Sequence, residues 1–238
     1  MGFLFFLLAL PASAKKPPAR PLPPSAQPYC STPVVWIDLY GALFRDGKRL
    51  SDGTAASFLV SCSGDVAWVD SNHTLHKNDA TLGRYYVADY AIAQRTGDVM
   101  WKDSEGSLYK NDRRLGGYAV RHTLSDWTGR VAWMDRSRII YRDGEQLGVN
   151  AKDFQLNDYT GDVAWIDTDR VLYKNSRRLG ANAARYSFAT ATGDVVWIDT
   201  NRVIYKNEQQ LGADAVDFSL QPDGRGEWTD GQRQHYLF

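Results

Sequence analysis

Short apolar runs separated by polar turn residues recur along the chain from about residue 30 to its end. Val163–Asp167 (VAWID) and Arg170–Lys174 (RVLYK) are rich in β-branched and aromatic residues, which favours strands. The stretch Asp-Thr-Asp-Arg that joins them is too short for anything but a hairpin connection. Further runs end at Leu179-Gly180 and cover Ala183–Thr190, so each unit is predicted to contain four antiparallel strands.

This unit is repeated seven times, and tryptophan marks its register. Successive repeat tryptophans are 31 to 33 residues apart, and an Asp lies two places after each of them. The tryptophans are Trp36, Trp68, Trp101, Trp133, Trp165, Trp197 and Trp228. The aspartates are Asp38, Asp70, Asp103, Asp135, Asp167, Asp199 and Asp230. Chance does not produce such a register.

The pattern inside the unit predicts an all-β fold. Val163 and Trp165 point to one side of their strand and Ala164 and Ile166 to the other, so both sides are apolar, as in a sheet held between two neighbours. Radial stacking buries both faces, and closing the ring removes the free ends. We therefore predict a seven-bladed β-propeller built from four-stranded repeats of about 32 residues. An open β-solenoid is the alternative.

The layout of the unit also resembles known families. A small-residue inner strand, a Gly-Asp turn, a Trp strand and a [VI]-[LI]-Tyr-[KR] strand are similar to the short blades of NHL and TolB-like bacterial propellers and of tectonin-type lectins. This resemblance implies the propeller fold. Tectonin blades usually carry Gly after the Trp, whereas this chain has Ile37, Val69, Lys102, Met134, Ile166, Ile198 and Thr229 there.

The two ends of the repeat region are irregular. The seventh unit stops after its third strand at Phe238, and the first has no good inner strand before Val34. Residues near Tyr29 are expected either to pair with the last blade or to supply the inner strand of the first.

The start of the chain predicts export. Residues 1–14 form an apolar run that ends in Ala12-Ser13-Ala14 and is too short to span a bilayer, which is typical of a signal peptide. Residues 15–29 are rich in Pro and read as a stiff linker. We divide the chain into a signal peptide (1–14), a linker (15–29) and a propeller domain (30–238), and expect a secreted or periplasmic protein without an integral membrane span.

Cys30 and Cys62 each lie six residues before a repeat Trp, so they hold equivalent positions in neighbouring blades. Equivalent points near the axis of a propeller come close enough for a disulfide, which an exported protein would keep. The alternative is two unpaired thiols.

Charge and composition exclude some partners. Lys plus Arg equals Asp plus Glu, with 28 of each, so nothing in the net charge favours nucleic acid or an anionic membrane. No cofactor, metal or catalytic residue is assigned, because no histidine lies in a known catalytic or metal-binding motif. We expect a monomer that binds a protein or a glycan. A hydrolase or lyase with His122, Asp89, Asp153 and Asp217 near an axial channel is the second alternative.

One face of the ring carries the candidate binding residues. The loops between the second and third strands, and those that lead into the next blade, lie on one side, which we call the turn face. It displays the arginine arc, composed of Arg138, Arg170, Arg202 and Arg233, and the tyrosines Tyr85, Tyr86 and Tyr118. Such a surface suits an anionic sugar, a phosphate or an acidic protein loop. Pairing of each Arg with a nearby Asp is the structural alternative. We predict a non-catalytic protein-binding scaffold, with a tectonin-like lectin as the alternative.

Overall fold

The computed structural model describes residue 30 and residues 32–51, 53–83 and 86–238. The predicted signal peptide (1–14) and linker (15–29) lie outside the described residues. All regular elements of the described part are β-strands. None of these residues belongs to a helix long and apolar enough to cross a lipid bilayer.

The described residues form 26 strands in seven sheets. Blade 1 contains β1 (Val35–Ile37), β2 (Leu43–Arg45) and β3 (Lys48–Arg49); blade 2 contains β4 (Ala55–Val60), β5 (Val66–Asp70), β6 (Leu75–Lys77) and β7 (Ala80–Gly83). Blade 3 contains β8 (Val87–Ile92), β9 (Val99–Asp103), β10 (Leu108–Lys110) and β11 (Arg113–Gly116); blade 4 contains β12 (Ala119–Leu124), β13 (Val131–Asp135), β14 (Ile140–Arg142) and β15 (Glu145–Gly148). Blade 5 contains β16 (Ala151–Leu156), β17 (Val163–Asp167), β18 (Leu172–Lys174) and β19 (Arg177–Gly180); blade 6 contains β20 (Ala183–Phe188), β21 (Val195–Asp199), β22 (Ile204–Lys206) and β23 (Gln209–Gly212). Blade 7 contains β24 (Ala215–Leu220), β25 (Gly226–Asp230) and β26 (His235–Leu237).

The fold is a seven-bladed β-propeller, and each complete blade is an antiparallel sheet whose strands pair in chain order. The predicted four-strand unit is therefore confirmed, with two shifted boundaries. The third strand of blade 5 begins at Leu172, because Arg170 belongs to the preceding turn. The first strand of blade 6 ends at Phe188, because Ala189 already bonds to Gly193 and Asp194 in the next turn.

The hydrophobic core lies between the blades. Six clusters fill the six successive junctions from blade 1 to blade 7. At the junction of blades 4 and 5, Trp165 and Val163 pack against Ile140. On the opposite side of the same strand, Ala164 and Ile166 pack against blade 6. The prediction that both sides of the second strand are buried is confirmed.

The repeat tryptophans are fixed by a close contact with glycine. A Cβ added at Gly148, the last residue of β15, would lie 2.3 Å from the ring of Trp165. Within blade 5 that ring stacks on Tyr173 at 4.1 Å, and its Nε1 donates to the carbonyl of Asn175 at 2.7 Å. The same glycine contact recurs at four other junctions, between Gly83 and Trp101, Gly116 and Trp133, Gly180 and Trp197, and Gly212 and Trp228.

A polar network in blade 5 connects the turn before β17 to the turn after β18. Asn175, at φ 52°, accepts from the N–H of Val163 at 3.0 Å and donates to Asp162 at 2.9 Å. Lys174 lies 3.0 Å from the second oxygen of Asp162. Burial alone would raise the pKa of Asp162, but the hydrogen bonds from Asn175 and Lys174 outweigh it and lower the pKa. The Tyr-Lys-Asn motif is therefore a structural element.

In the described part of the chain the first and last blades have three strands each. Blade 1 lacks a strand before β1 among the described residues, and blade 7 ends with β26. Trp36 is 43% exposed, whereas the other six repeat tryptophans are 2–6% exposed. The two expectations for residues near Tyr29 concern the part of the chain outside the described residues and stay predictions.

Cys30 and Cys62 form a disulfide, with their Cα atoms 4.8 Å apart. The bond connects the residues just before blade 1 to the turn after β4 of blade 2. The predicted pairing is confirmed, and it connects the first blade to its neighbour.

We expect Trp165→Ala to lower the free energy of unfolding by about 3–5 kcal/mol, because it empties the junction that Gly148 leaves open for the ring. Trp36→Ala is the matched control and should cost roughly half as much or less, since its ring is already partly in water. Urea unfolding followed by circular dichroism measures both. Equal losses would contradict the role of the glycine contact.

Replacing both cysteines by serine should lower the free energy of unfolding by about 2–4 kcal/mol, since the bond closes a loop with a sequence separation of 32. Reductant should produce the same loss in the original protein and leave the double variant unchanged. An original protein whose unfolding midpoint ignores reductant would show that the bond does not stabilise the fold.

Candidate functional site

The turn between the second and third strands positions each arginine of the arc. In blade 5 one carboxylate oxygen of Asp167 accepts from the N–H groups of Asp169 at 2.9 Å and Val171 at 2.8 Å. The carbonyl of Arg170 then accepts from the N–H of Ala183, the first residue of blade 6, at 2.9 Å. The Asp167 side chain therefore stabilises its own turn, and the backbone of the same turn connects blade 5 to blade 6.

The repeated Asp is a structural group. Its second oxygen in blade 5 accepts from the hydroxyl of Tyr173 at 3.4 Å, and burial together with this negative charge raises the pKa of Tyr173. The same pair of backbone contacts is made by Asp38, Asp70, Asp103, Asp199 and Asp230. The acidic turns are hairpin turns.

The arginines of the arc occupy a backbone conformation that favours glycine. Their φ angles lie between 61° and 65° at Arg138, Arg170, Arg202 and Arg233. Blades 1 and 3 carry Gly41 and Gly106 at the same place, with φ 82° and 85°. A side chain in this region costs about 1–3 kcal/mol. Four successive blades thus keep a long cationic side chain where the backbone would accept glycine.

Clefts open beside these turns at consecutive junctions. The cleft between blades 4 and 5 has a volume of about 370 Å³ and is lined by Met134, Arg138, Ala151, Lys152 and Thr168. The cleft between blades 5 and 6, of about 450 Å³, is lined by Lys152, Asp153, Gln155, Ile166, Arg170, Ala183, Ala184, Arg185 and Tyr186. Lys152 lies on the wall that the two clefts share, so it connects Arg138 and Arg170 into one basic surface. A third cleft lies at Arg202.

The arginines differ in their partners. Arg202 forms a salt bridge with Asp214, at 2.9 Å. Arg138, Arg170 and Lys152 form no salt bridge with any carboxylate in the described part of the chain. Asn150 and Asn182 stand in blades 5 and 6 where blade 7 has Asp214. The alternative that each arginine pairs with an Asp therefore holds for Arg202, whereas Arg138, Arg170 and Lys152 have no ion pair among the described residues.

Two of the predicted tyrosines, Tyr86 and Tyr118, lie on the same face, at the other junctions. Tyr86 is 58% exposed and stacks on His73 at 3.8 Å. Tyr118 is 64% exposed, and the guanidinium of Arg136 lies 5.7 Å from its ring centroid. Tyr85 lies outside the described residues. The turn face thus has an aromatic part over blades 2 to 4 and a basic part over blades 4 to 7.

The inner-strand acids pair with residues of the neighbouring blade. Asp89 lies 2.8 Å from Nε2 of His122, and Asp217 lies 2.8 Å from Arg185. Asp153 is bound by Arg121. The described residues contain no group of three or more His, Cys, Asp or Glu side chains placed to hold a metal ion. These contacts connect neighbouring inner strands.

Sequence reasoning missed Lys152 as part of the basic surface. A signal was present, because the second position of the inner strand holds Ala or Val in the five other blades that have an inner strand among the described residues. Those residues are Ala56, Ala88, Val120, Ala184 and Val216. Lys152 is charged where these five blades have an apolar residue, so the packing of the inner strand does not account for it.

Comparisons with known proteins gave distant similarities only. No protein-family model and no curated protein matches the chain. Among solved structures, the chain is similar to the WD40 β-propeller domain of Doa1, with 9% identity over 87% of this chain and 89% of that one and a TM-score of 0.33. It is similar to the C-terminal WD40 domain of Sif2, with 11% identity over 77% and 66% and a TM-score of 0.33, and to Kluyveromyces lactis Hsv2, with 10% identity over 82% and 88% and a TM-score of 0.34. The resemblance in layout to NHL, TolB-like and tectonin repeats is not shown by these similarities.

Asp167→Ala and Arg170→Gly test which residue of this turn stabilises the fold and which one is only exposed on its surface. We expect Asp167→Ala to cost about 2–3 kcal/mol of unfolding free energy, because several hydrogen bonds to a nearly buried carboxylate are lost. Arg170→Gly should change it by less than about 1 kcal/mol or raise it, since glycine relieves the positive φ. Urea unfolding measures both. Similar losses in the two variants would assign Arg170 a structural role.

Proposed function

We propose that this protein is an exported, non-catalytic β-propeller that binds an acidic segment of a partner protein on its turn face. The observation that carries the proposal is the basic surface of Arg138, Lys152 and Arg170. Its three cations have no carboxylate partner among the described residues, and two of them are held at positive φ.

The shape of this surface suits an extended acidic segment. Two neighbouring clefts, each with an arginine, share one wall at Lys152. Arginine binds carboxylates through two parallel hydrogen bonds, and the partly exposed Met134 offers apolar contact beside it. A chain that alternates Asp or Glu with an apolar residue could place a carboxylate at each cleft and an apolar side chain between them.

A glycan is the second candidate ligand. Tyr86 and Tyr118 are exposed on the turn face, and sugars stack on such rings. Six of the seven repeat tryptophans, however, are 2–6% exposed and serve the junctions between blades. This leaves no repeated aromatic pocket of the kind that a lectin with one site per blade would use, so we rank the protein partner first.

The remaining parts of the proposal rest on separate observations. The Cys30–Cys62 disulfide agrees with an oxidising compartment and supports a secreted or periplasmic location, together with the apolar segment 1–14. The pairing of Asp153 with Arg121 and Asp217 with Arg185 supports a scaffold over a hydrolase or lyase, because each of these carboxylates already has a cationic partner.

The test uses a short peptide that alternates Glu with Leu, measured by fluorescence anisotropy at low and high salt. We expect Arg138→Gly and Arg170→Gly each to weaken binding about tenfold, as expected for the loss of one charge-assisted hydrogen-bonded contact. Arg202→Gly should have a smaller effect, because that arginine is already paired with Asp214.

Arg225→Ala is the matched control. It removes one positive charge from an exposed loop on the opposite face, where Arg225 pairs with Asp223, and should leave binding unchanged. Equal binding by Arg170→Gly and the original protein would contradict the site. Binding of sialylated or uronic-acid glycans without binding of the peptide would favour the lectin.

A further inference from the structure

The inner strands of neighbouring blades are connected by one repeated pair of positions. The third residue of one inner strand contacts the fourth residue of the next. Ser57 shares a hydrogen bond with the hydroxyl of Tyr90 at 2.8 Å, and Asp89 lies 2.8 Å from Nε2 of His122. At these two junctions the polar side chain of the fourth position therefore has its partner in the preceding blade.

Two further junctions have a phenylalanine at the fourth position, and an arginine covers its ring. The guanidinium of Arg121 lies 4.5 Å from the ring centroid of Phe154, and that of Arg185 lies 5.0 Å from the ring centroid of Phe218. The clefts between blades 4 and 5 and between blades 6 and 7 open at these junctions, and neither phenylalanine lines them.

The junction of blades 5 and 6 departs from this series. Asp153 and Tyr186 occupy the paired positions, but the Asp153 carboxylate is bound by Arg121 of the preceding blade. The hydroxyl oxygen of Tyr186 is buried and has no hydrogen-bond partner among the described residues. Burial, together with the negative charge of Asp153, raises the pKa of Tyr186, so the hydroxyl keeps its proton and can act as a donor.

Tyr186 also lines the cleft of about 450 Å³ between blades 5 and 6. Lys152 and Arg170 line the same cleft, are exposed, and form no ion pair with the described residues. Two other buried atoms in the described part of the chain lack a partner, His122 Nδ1 and Trp133 Nε1, and neither residue lines one of the three clefts. This cleft therefore combines two exposed cations with an unused hydroxyl donor further in.

A carboxylate fits this set of donors. Its two oxygens accept up to about four hydrogen bonds, and bonds from a cation to a carboxylate are the strong ones. Asp153 lines the cleft as well, but its own carboxylate is bound by Arg121. Because the cations are exposed and the hydroxyl of Tyr186 is buried, a carboxylate that contacts both has to enter the cleft on a long side chain.

We propose that Tyr186 determines the specificity of the basic surface: its hydroxyl donates a hydrogen bond to the carboxylate of a glutamate side chain that enters the cleft between blades 5 and 6. This inference rests on the proposed function, in which that cleft binds one acidic residue of a partner segment. Aspartate is one methylene shorter, so its carboxylate stays at Lys152 and Arg170. The cleft between blades 4 and 5 has Phe154 in the place of Tyr186 and should accept either acid.

The first test uses small probes and NMR of the full chain, with a 13C label at the ζ carbon of its tyrosines. N-acetyl-glutamate amide should shift the Tyr186 signal saturably and leave the Tyr90 signal unchanged, because the Tyr90 hydroxyl already bonds to Ser57. The signals are assigned with Tyr186→Phe and Tyr90→Phe. N-acetyl-aspartate amide should bind about tenfold more weakly, since it loses the bond to the hydroxyl.

A Tyr186 signal that ignores the glutamate probe, or that responds equally to both probes, would overturn the inference. Glucuronate is the third probe, because a sugar acid carries the same charged group. Tighter binding of glucuronate than of the glutamate probe would assign the cleft to a glycan and overturn the inference as well.

The second test compares Tyr186→Phe with the matched variant Tyr90→Phe, using the alternating Glu-Leu peptide and its Asp-Leu counterpart. Tyr186→Phe should weaken binding of the Glu-Leu peptide about tenfold and abolish the preference for Glu over Asp. It should leave the urea midpoint unchanged or higher, because it removes a hydroxyl without a partner. Tyr90→Phe should lower the midpoint and leave binding unchanged, since it loses the bond to Ser57.

The outcomes separate this inference from the proposed function. Peptide binding that depends on Arg170 but is equal in Tyr186→Phe and the original protein would leave the function standing and show the inference to be wrong. A Tyr186 signal shifted by the glutamate probe, without binding of either peptide, would support the inference and contradict the extended acidic segment. Failure of both the probe and the peptides to bind would contradict both.

Discussion

The fold depends on one constraint: a small sheet of strands two to six residues long, apolar on both sides, is stable only when neighbouring sheets cover its faces. The contact that satisfies the constraint is the tryptophan ring of one blade set against the glycine that ends the preceding blade. At Gly148 any larger residue would displace the Trp165 ring, since even a Cβ would lie 2.3 Å from it. Glycine and tryptophan therefore recur at the same positions of successive blades, and this contact accounts for the repeat period of the sequence.

Because contacts at the junctions stabilise the fold, the exposed residues of the turns can vary from blade to blade. The carboxylate of Asp167 shapes its turn through backbone bonds alone, so the residue at positive φ is left to point outward. Gly41, His73 and Arg170 all occupy that place without changing the turn. Arginine and histidine both carry the backbone strain that glycine avoids. His73 stacks on Tyr86, whereas Arg170 has no ion pair or ring contact with the described residues that would offset the strain.

The sequence predicted the elements that repeat and missed much of what depends on neighbouring blades. Spacing and alternation were sufficient for the strands, the seven blades and the Cys30–Cys62 bond, because each follows from register alone. The charge balance at the clefts did not follow, since it depends on whether Asn182 or Asp214 faces an arginine across a junction. Lys152 was overlooked for a related reason: it belongs to an inner strand that periodicity assigns to packing, and only the geometry of two adjacent clefts places it between Arg138 and Arg170.

The proposed basic surface follows from the same constraint. The repeat tryptophans of blades 2 to 7 are buried at the junctions, so the turn face offers another molecule the side chains of its turns. At Arg138, Lys152 and Arg170 those side chains are cations without an ion pair among the described residues. Recognition by such charges weakens as salt screens them, whereas the burial of the tryptophans does not. The scaffold and the proposed binding surface should therefore respond differently to ionic strength.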